Sequence, residues 1–395
     1  MTAIRFTCVL FYSAARSVWG KDHRFRIQKF SLRIFKRMTS NSESNPSENG
    51  TKRFRSDAPV IGTHSGTFHC DEVLACFMLK QLPEYKNASI FRSRDDKMLL
   101  EKCDIIVDVG GEFNHQKKLY DHHQRSFVET LSTLRPELGD EFKIKLSSAG
   151  LIYAYYGEHV IESVLQENGK APLSPQNLKL SYKQIYRNFI SEMDAIDNGV
   201  PMYKNDVGEP LYKISTHLSS RVHRLNPSWE DEQGSEIEQK RFERALELVG
   251  KEFVENVLDV ACSWVRGREY VRKALEKAKS VHETGEIIIL ERFCPWKVHL
   301  ADLEKEYNVE GVAKLVIFSE KAQSWRVAGV PLSPTSFLGR KFLPQPWRGL
   351  RDEELSEVAD IPDLIFVHST GFIGGAKTKE AALQMALKSA QWEDK

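Results

Sequence analysis

Residues 119–127 read LYDHHQRSF, which sets Asp121, His122 and His123 side by side. Carboxylate and imidazole ligate divalent cations and move protons near neutral pH. The triplet carries chemistry only if similar groups reach the same place from elsewhere in the chain, and three other stretches supply them. THSGTFHCDE holds His64, His69 and Asp71; IIVDVGG holds Asp108, then Gly110 and Gly111; EMDAIDNG holds Asp194 and Asp197. If 69–71 is extended, His69 and Asp71 point to one side and Cys70 to the other. The two glycines let a backbone approach a ligand closely. The donors are oxygen and nitrogen without thiolate, and such mixed ligation suits Mn²⁺ or Mg²⁺ more than structural zinc. A zinc site of Cys70 with His64 and His69 is the competing arrangement; no second cysteine stands at ligand spacing.

Something must bring these stretches together. PVIGTH (59–64), ASIFRS (88–93) and DIIVDVGG (104–111) read as strands, each followed by polar residues. DEVLACFMLKQL (71–82) has acids in its first turn and apolar residues at helical spacing. DDKMLLEKC, SSAGLIYAYYGEHVIESVLQENG and SYKQIYRNFISEMDAIDNG also read as helices. Strands alternating with helices from residue 59 predict a parallel sheet with helical crossovers. In such sheets ligands bind outside the carboxyl ends of the strands, where His64, Asp108 and Asp121 would stand. The charged stretch 230–280 reads as long helix, and EIIIL, AKLVIFS, SWRVAGV, DLIFVHS and a final helix over about 378–391 form a second α/β region.

The 395 residues suffice for two domains of ordinary size. Lys and Arg total 56 against 55 Asp and Glu, so net charge points to no polyanion partner, although a basic face balanced by an acidic one is compatible with it. Six scattered cysteines without a CxxC pair read as a reducing compartment. No apolar run approaches membrane-spanning length, so no membrane insertion is expected. The first 40 residues carry nine Lys/Arg and one acid, which resembles a mitochondrial transit peptide. A Ser- and Asn-rich linker follows; its Lys52-Arg53-Phe54-Arg55 is a small basic cluster, and a nuclear share is a second expectation for a product starting at Met38.

The triplet and the acidic strand ends resemble the DHH phosphoesterase superfamily. Longer strings resemble the melanocyte-proliferating-gene (MYG) family of exonucleases: IGTHSGTFHCDEVLACFML, IIVDVGGEF, YDHHQRSF, SSAGLIY, EMDAIDNGV, SSRVHRLNPSW and FVHSTGFIGGAKTKEAAL, spread over residues 61 to 384. His69 stands where superfamily relatives carry Asp. Ser65 and Asn114-His115 replace an Asn and an Asp-Pro frequent in the family. The resemblance implies a Rossmann-like, mostly parallel sheet domain over 58–235, with 1–57 as targeting segment and linker. It also implies a smaller C-terminal α/β domain over 281–395, reached through a helical connector over 236–280. The implied metal ligands are His64, His69, Asp71, Asp108, His122 and Asp194, with Asp197 beside them, for two Mn²⁺ or Mg²⁺ ions. Two ions about 3.5–4 Å apart activate water and clamp phosphoryl oxygens. On this scheme Asp108 bridges the metals, His123 donates to a phosphate oxygen and Asp121 orients one of the histidines.

The implied activity is a metal-dependent 3′–5′ exonuclease on single-stranded RNA; a hydrolase of small phosphoesters or phosphoanhydrides is the alternative. Substrate contacts are expected from Arg221 and Arg224, and from HSTGFIGGAKTKEAAL. In that stretch His368, Gly374, Gly375 and Lys377 would present backbone N–H groups and a helix N-terminus to phosphate. GRKFLPQPWRGLR interleaves basic residues with Phe342 and Trp347, a pattern that suits either a strand-tracking channel or a loop pinned by aromatics. The residues leave oligomeric state open.

Overall fold

The computed structural model describes residues 58–203, 212–321 and 324–393. The expected targeting segment, second start and basic cluster lie outside the described residues. The chain forms two compact units. The first runs to Gly169 and resumes over Ile185–Asn256; the second comprises Lys170–Gln184 and Val257 onward. The stretch expected as a separate connector is thus divided between them.

In the first unit, β1 (Val60–Thr63), β2 (Ser89–Arg92), β3 (Ile105–Val107), β4 (Phe113–Asn114) and β5 (Leu119–Tyr120) form one sheet in the order β2-β1-β3-β5-β4. All pairings are parallel except β4 with β5. The carboxyl ends of β2, β1, β3 and β5 therefore share one rim. Helix α1 (Cys70–Gln81) follows β1, and α2 (Asp96–Lys102) follows β2 with Asp95 accepting from the Met98 N–H at its start. Gly62 in β1 has no room for a side chain, since a Cβ there would lie 2.8 Å from Cys103 Sγ. Helix α1 is buried nearly all round and packs on α3 (Ser148–Glu167), whose N-cap is Ser147.

Helix α4 (Pro175–Ile185) runs through a π turn (Tyr186–Ile190) into α5 (Ser191–Asp197); α6 (Leu218–His223) and the long α7 (Ser235–Asp259) follow. Gly250 of α7 lets α1 approach: a Cβ there would sit 2.1 Å from the Phe77 ring.

The second unit departs from the parallel arrangement. Its strands β6 (Ile287–Leu290), β7 (Leu315–Lys321), β8 (Ser324–Gly329), β9 (Leu364–Val367) and β10 (Ile373–Ala376) lie in the order β6-β7-β8-β10-β9. Only β6 and β7 pair in parallel. The chain from β7 through β8 has no helix to carry a crossover, so the strands return as antiparallel neighbours. Side-chain alternation feeds two cores. Ile287, Leu315 and Ile317 pack with Leu355 of α10 (Asp352–Ala359) and Met385 of α11 (Lys379–Gln391). Ile288, Val316 and Phe318 pack with Val271 of α8 (Val265–Glu276) and Leu300 of α9 (Trp296–Tyr307). No helix among the described residues is long and apolar enough to cross a membrane.

Candidate metal centre

β1 ends one residue before His64, β3 one before Asp108 and β5 one before Asp121, so three strands deliver their polar residues to one rim. Asp108 adopts φ 60°, a left-handed conformation that costs a non-glycine residue energy and is commonest for Asn and Asp. Its two oxygens divide. Oδ2 lies 3.3 Å from His64 Nε2, and Oδ1 lies 3.2 Å from His122 Nε2. Two groups of ligand atoms consequently meet at Asp108. One contains His64, His69 and Glu72, the other His122 and His123; a third group, Asp71, His122 and Asp197, joins the second at His122. His122 Nε2 is 3.1 Å from Asp197 Oδ2 and 3.9 Å from Asp71 Oδ2.

These groups could hold a cation, and their electrostatics are strongly coupled. Burial and the neighbouring Asp108 and Asp197 push the Asp71 carboxyl well above its usual range. Burial would raise Asp108 too, but His122 and His64 overcome it and hold Asp108 low. Burial alone would lower the two imidazoles; carboxylates at hydrogen-bond range outweigh it and raise His64 to about 10 and His122 to about 9. Asp71 Oδ1, Asp108 Oδ1, Asp197 Oδ2 and His122 Nε2 are all buried, and the close approaches of His122 Nε2 to Asp108 and Asp197 lack good hydrogen-bond geometry. Desolvated polar atoms left in this way are costly, and several acids at one point repel. Divalent cations resolve both problems, and the donor set of carboxylates and imidazoles fits them.

The surroundings fix the ligand-type groups. Ser148 Oγ donates to Asp71 Oδ2 at 2.8 Å from the first turn of α3. Asp121 is spent on its neighbours: Oδ1 lies 2.7 Å from His123 Nδ1 and accepts from the His123 N–H, while Oδ2 accepts from the Gly111 N–H at 2.6 Å. His123 is 62% exposed at its side chain, whereas His122 is buried. The Asp121 carboxylate raises the His123 imidazole above its ordinary value, despite partial burial. The adjacent histidines thus face different surroundings.

Asp194 does not sit among the ligand-type atoms. Its Oδ1 accepts from Ser147 N–H at 2.9 Å and Ser147 Oγ at 2.7 Å, and its Oδ2 from Tyr186 Oη at 2.8 Å. These bonds clamp α5 onto the N-terminus of α3, and a Cβ on Gly150 would lie 2.3 Å from Asp194 Oδ1. Asp197, one turn later, is the α5 acid that meets His122. Sequence spacing places both acids on nearby faces of a helix; the π turn before α5 decides which one looks inward to Ser147.

Glu72 enters the sequence reading only as a helix-start acid, not as a ligand. It is fully buried, lies 3.3 Å from His64 Nε2 and accepts from the His69 N–H at 2.9 Å. Its signal was the His69-x-x-Glu72 spacing of a helix-start capping box.

The expected substrate contacts have partners within their own units. Arg221 pairs with Glu252 at 3.0 Å, and Arg224 donates to the Ser215 carbonyl. Gly374 and Gly375 are not in a phosphate turn. They lie inside β10, laddered to β8 and β9, where a Cβ would meet Leu343 or the Phe366 ring within 2.8 Å. Their backbone is committed to the sheet, and their smallness serves packing. His368 precedes the turn into β10 and bonds Thr370, and the Lys377 N–H donates to the Asp363 carbonyl. Thr378 caps α11 itself, accepting from the Ala381 N–H. The basic-aromatic stretch is a pinned loop: Trp347 joins the core, and Arg340 forms a forked pair with the fully buried Glu304.

Residues 60–390 match the family model MYG1_exonuc, described as an uncharacterised protein family (UPF0160). The chain is 47% identical over 332 residues to a Bos taurus protein named MYG1 exonuclease, covering 83% of this chain and 84% of the relative. A Homo sapiens protein of the same name is 46% identical over 330 residues, covering 83% and 85%. A Dictyostelium discoideum MYG1 protein is 44% identical over 330 residues, covering 84% and 96%. With more than four-fifths of its length matched in this way, the chain belongs to the MYG1 family.

Proposed function

We propose that this protein is a metal-dependent phosphodiesterase, a 3′–5′ exonuclease on single-stranded RNA, built as in the DHH phosphoesterases and holding two Mn²⁺ or Mg²⁺ ions. The observation that carries the reading is the divided carboxylate of Asp108, shared between two groups of ligand atoms. The relatives' exonuclease names support the nucleic-acid substrate. His64, His69, Glu72 and Asp108 would hold one ion; Asp71, Asp108, His122 and Asp197 the other. When bound, such a pair lowers the pKa of water and neutralises charge on a phosphoryl group. His123, tied through Nδ1 to Asp121, turns its other ring nitrogen outward to donate to a phosphate oxygen. Asp121 positions that ring and favours its protonated form. Buried Asp194 keeps Asp197 in place. Residues 1 to about 40 act as a mitochondrial presequence, with a nuclear share for the shorter product; a fluorescent fusion of residues 1–45 reaching mitochondria is the expected result.

The test is hydrolysis of labelled RNA and DNA oligonucleotides with Mn²⁺ or Mg²⁺, alongside small phosphoesters. Activity should vanish in chelator and in a folded Asp108→Ala variant. Full activity in either would remove the two-metal mechanism, and turnover of small phosphoesters alone would replace the nuclease reading.

A further inference from the structure

The carboxyl end of β2 brings two arginines to the rim, and their surroundings differ. Arg92 is consumed by the scaffold. Its Nε donates to the His64 carbonyl at 3.2 Å and its Nη2 to the Gly66 carbonyl at 2.6 Å, and the guanidinium lies 4.5 Å from the Phe242 ring centre. Arg94 is exposed, and its Nε donates to the Ser65 carbonyl at 3.0 Å. That bond aims the rest of the guanidinium at His64, whose Nδ1 lies 3.4 Å from Nη2. No carboxylate of the described residues pairs with Arg94, although the rim beside it is crowded with acids.

His64 Nε2 faces Asp108 and Glu72, so its Nδ1 edge is the one turned toward Arg94. The Ser65 carbonyl lies 3.3 Å from Nδ1 as well. A fixed, water-facing guanidinium without an anion is the arrangement that takes a phosphate. Its place is informative. Arg94 meets the far side of the imidazole from the ligand-type atoms, one ring width beyond them.

We propose that Arg94 binds the phosphate adjacent to the scissile one, and so reads the substrate as a nucleic-acid strand rather than a phosphomonoester. This rests on the phosphodiesterase reading above. The test uses the full chain as wild type, Arg94→Gln and Arg94→Lys, with a six-nucleotide single-stranded RNA. Steady-state kinetics are measured with Mn²⁺, and binding by fluorescence anisotropy with Ca²⁺ across a range of salt. Arg94→Gln should raise KM about tenfold, the size of one charge-assisted contact, with kcat little changed. Its log affinity against log salt should be shallower by about 0.7, one phosphate on a single strand, and Arg94→Lys should restore that slope. Replacing a phosphate flanking the scissile one with a neutral methylphosphonate should weaken wild type and leave Arg94→Gln unaffected. Bound Mn²⁺ per chain should be equal in all three proteins. Unchanged KM and slope in Arg94→Gln, or loss of its metal, overturns the assignment while wild-type hydrolysis leaves the nuclease reading standing. A wild type that neither binds nor cleaves the RNA overturns both.

Discussion

Replacing Asp194 with asparagine keeps the shape of the side chain and removes its charge. Asp194 is fully buried, and burial outweighs its bonds to Ser147 and Tyr186, raising it from 3.8 to about 7. A folded value above the ordinary one means that the folded protein holds the proton more tightly. The contribution to stability is complete below 3.8 and is lost as pH rises through about 7. The difference is about 3 units at 1.36 kcal/mol each, or ~4 kcal/mol in all, of which ~3 kcal/mol falls between about pH 5 and about pH 8. Asparagine does not titrate, so the stability advantage of wild type over Asp194→Asn should shrink by that amount across the window. Urea unfolding of the metal-free protein at several pH values reads it directly. Parallel curves for the two proteins would show that Asp194 is ionised in the fold and that its three donors, not burial, govern it. The same variant, when folded, should keep its bound Mn²⁺, whereas Asp197→Asn should lose most of it. The reverse result would return Asp194 to the ligand role expected from the sequence.

His122→Ala should lose bound metal, because its Nε2 faces Asp108 and Asp197, while His123→Ala should keep the metal and lower kcat by about 10²–10³-fold. Equal metal content in the two variants contradicts that division. Gly250→Ala forces the Phe77 ring to move, so overpacking should destabilise the protein by about 1–3 kcal/mol in a urea melt; an unchanged melt means that α1 and α7 part without cost. His299 is buried neutral, with Nε2 2.8 Å from the Trp264 carbonyl, and burial lowers it from 6.5 to about 4. Stability should therefore fall as pH drops from about 6.5 to about 4, by up to ~3 kcal/mol, and His299→Gln should remove that slope. A slope that persists in His299→Gln places the titration elsewhere.

Local sequence determined the elements that depend on local chemistry. The strand before His64 and the strand before Asp108 are short apolar runs ended by polar residues. Asp71 and Glu72 mark the first turn of a helix, where the positive end of the helix dipole favours acids. Even the separation of His122 from His123 was legible, since adjacent side chains on an extended segment face opposite ways. Tertiary structure decided what depends on packing and register. It chose Asp197 over Asp194 at the His122 group, because a π turn and the Ser147 clamp set the rotation of α5. It brought Glu72 to His64, which spacing alone marks only as a helix-start acid. It put Gly374 and Gly375 inside a strand, where glycine answers to the neighbouring Leu343 and Phe366 and not to a ligand. Residue types and spacing limit which atoms can ligate, but a contact between distant residues exists only where the packed chain rotates both side chains to one point.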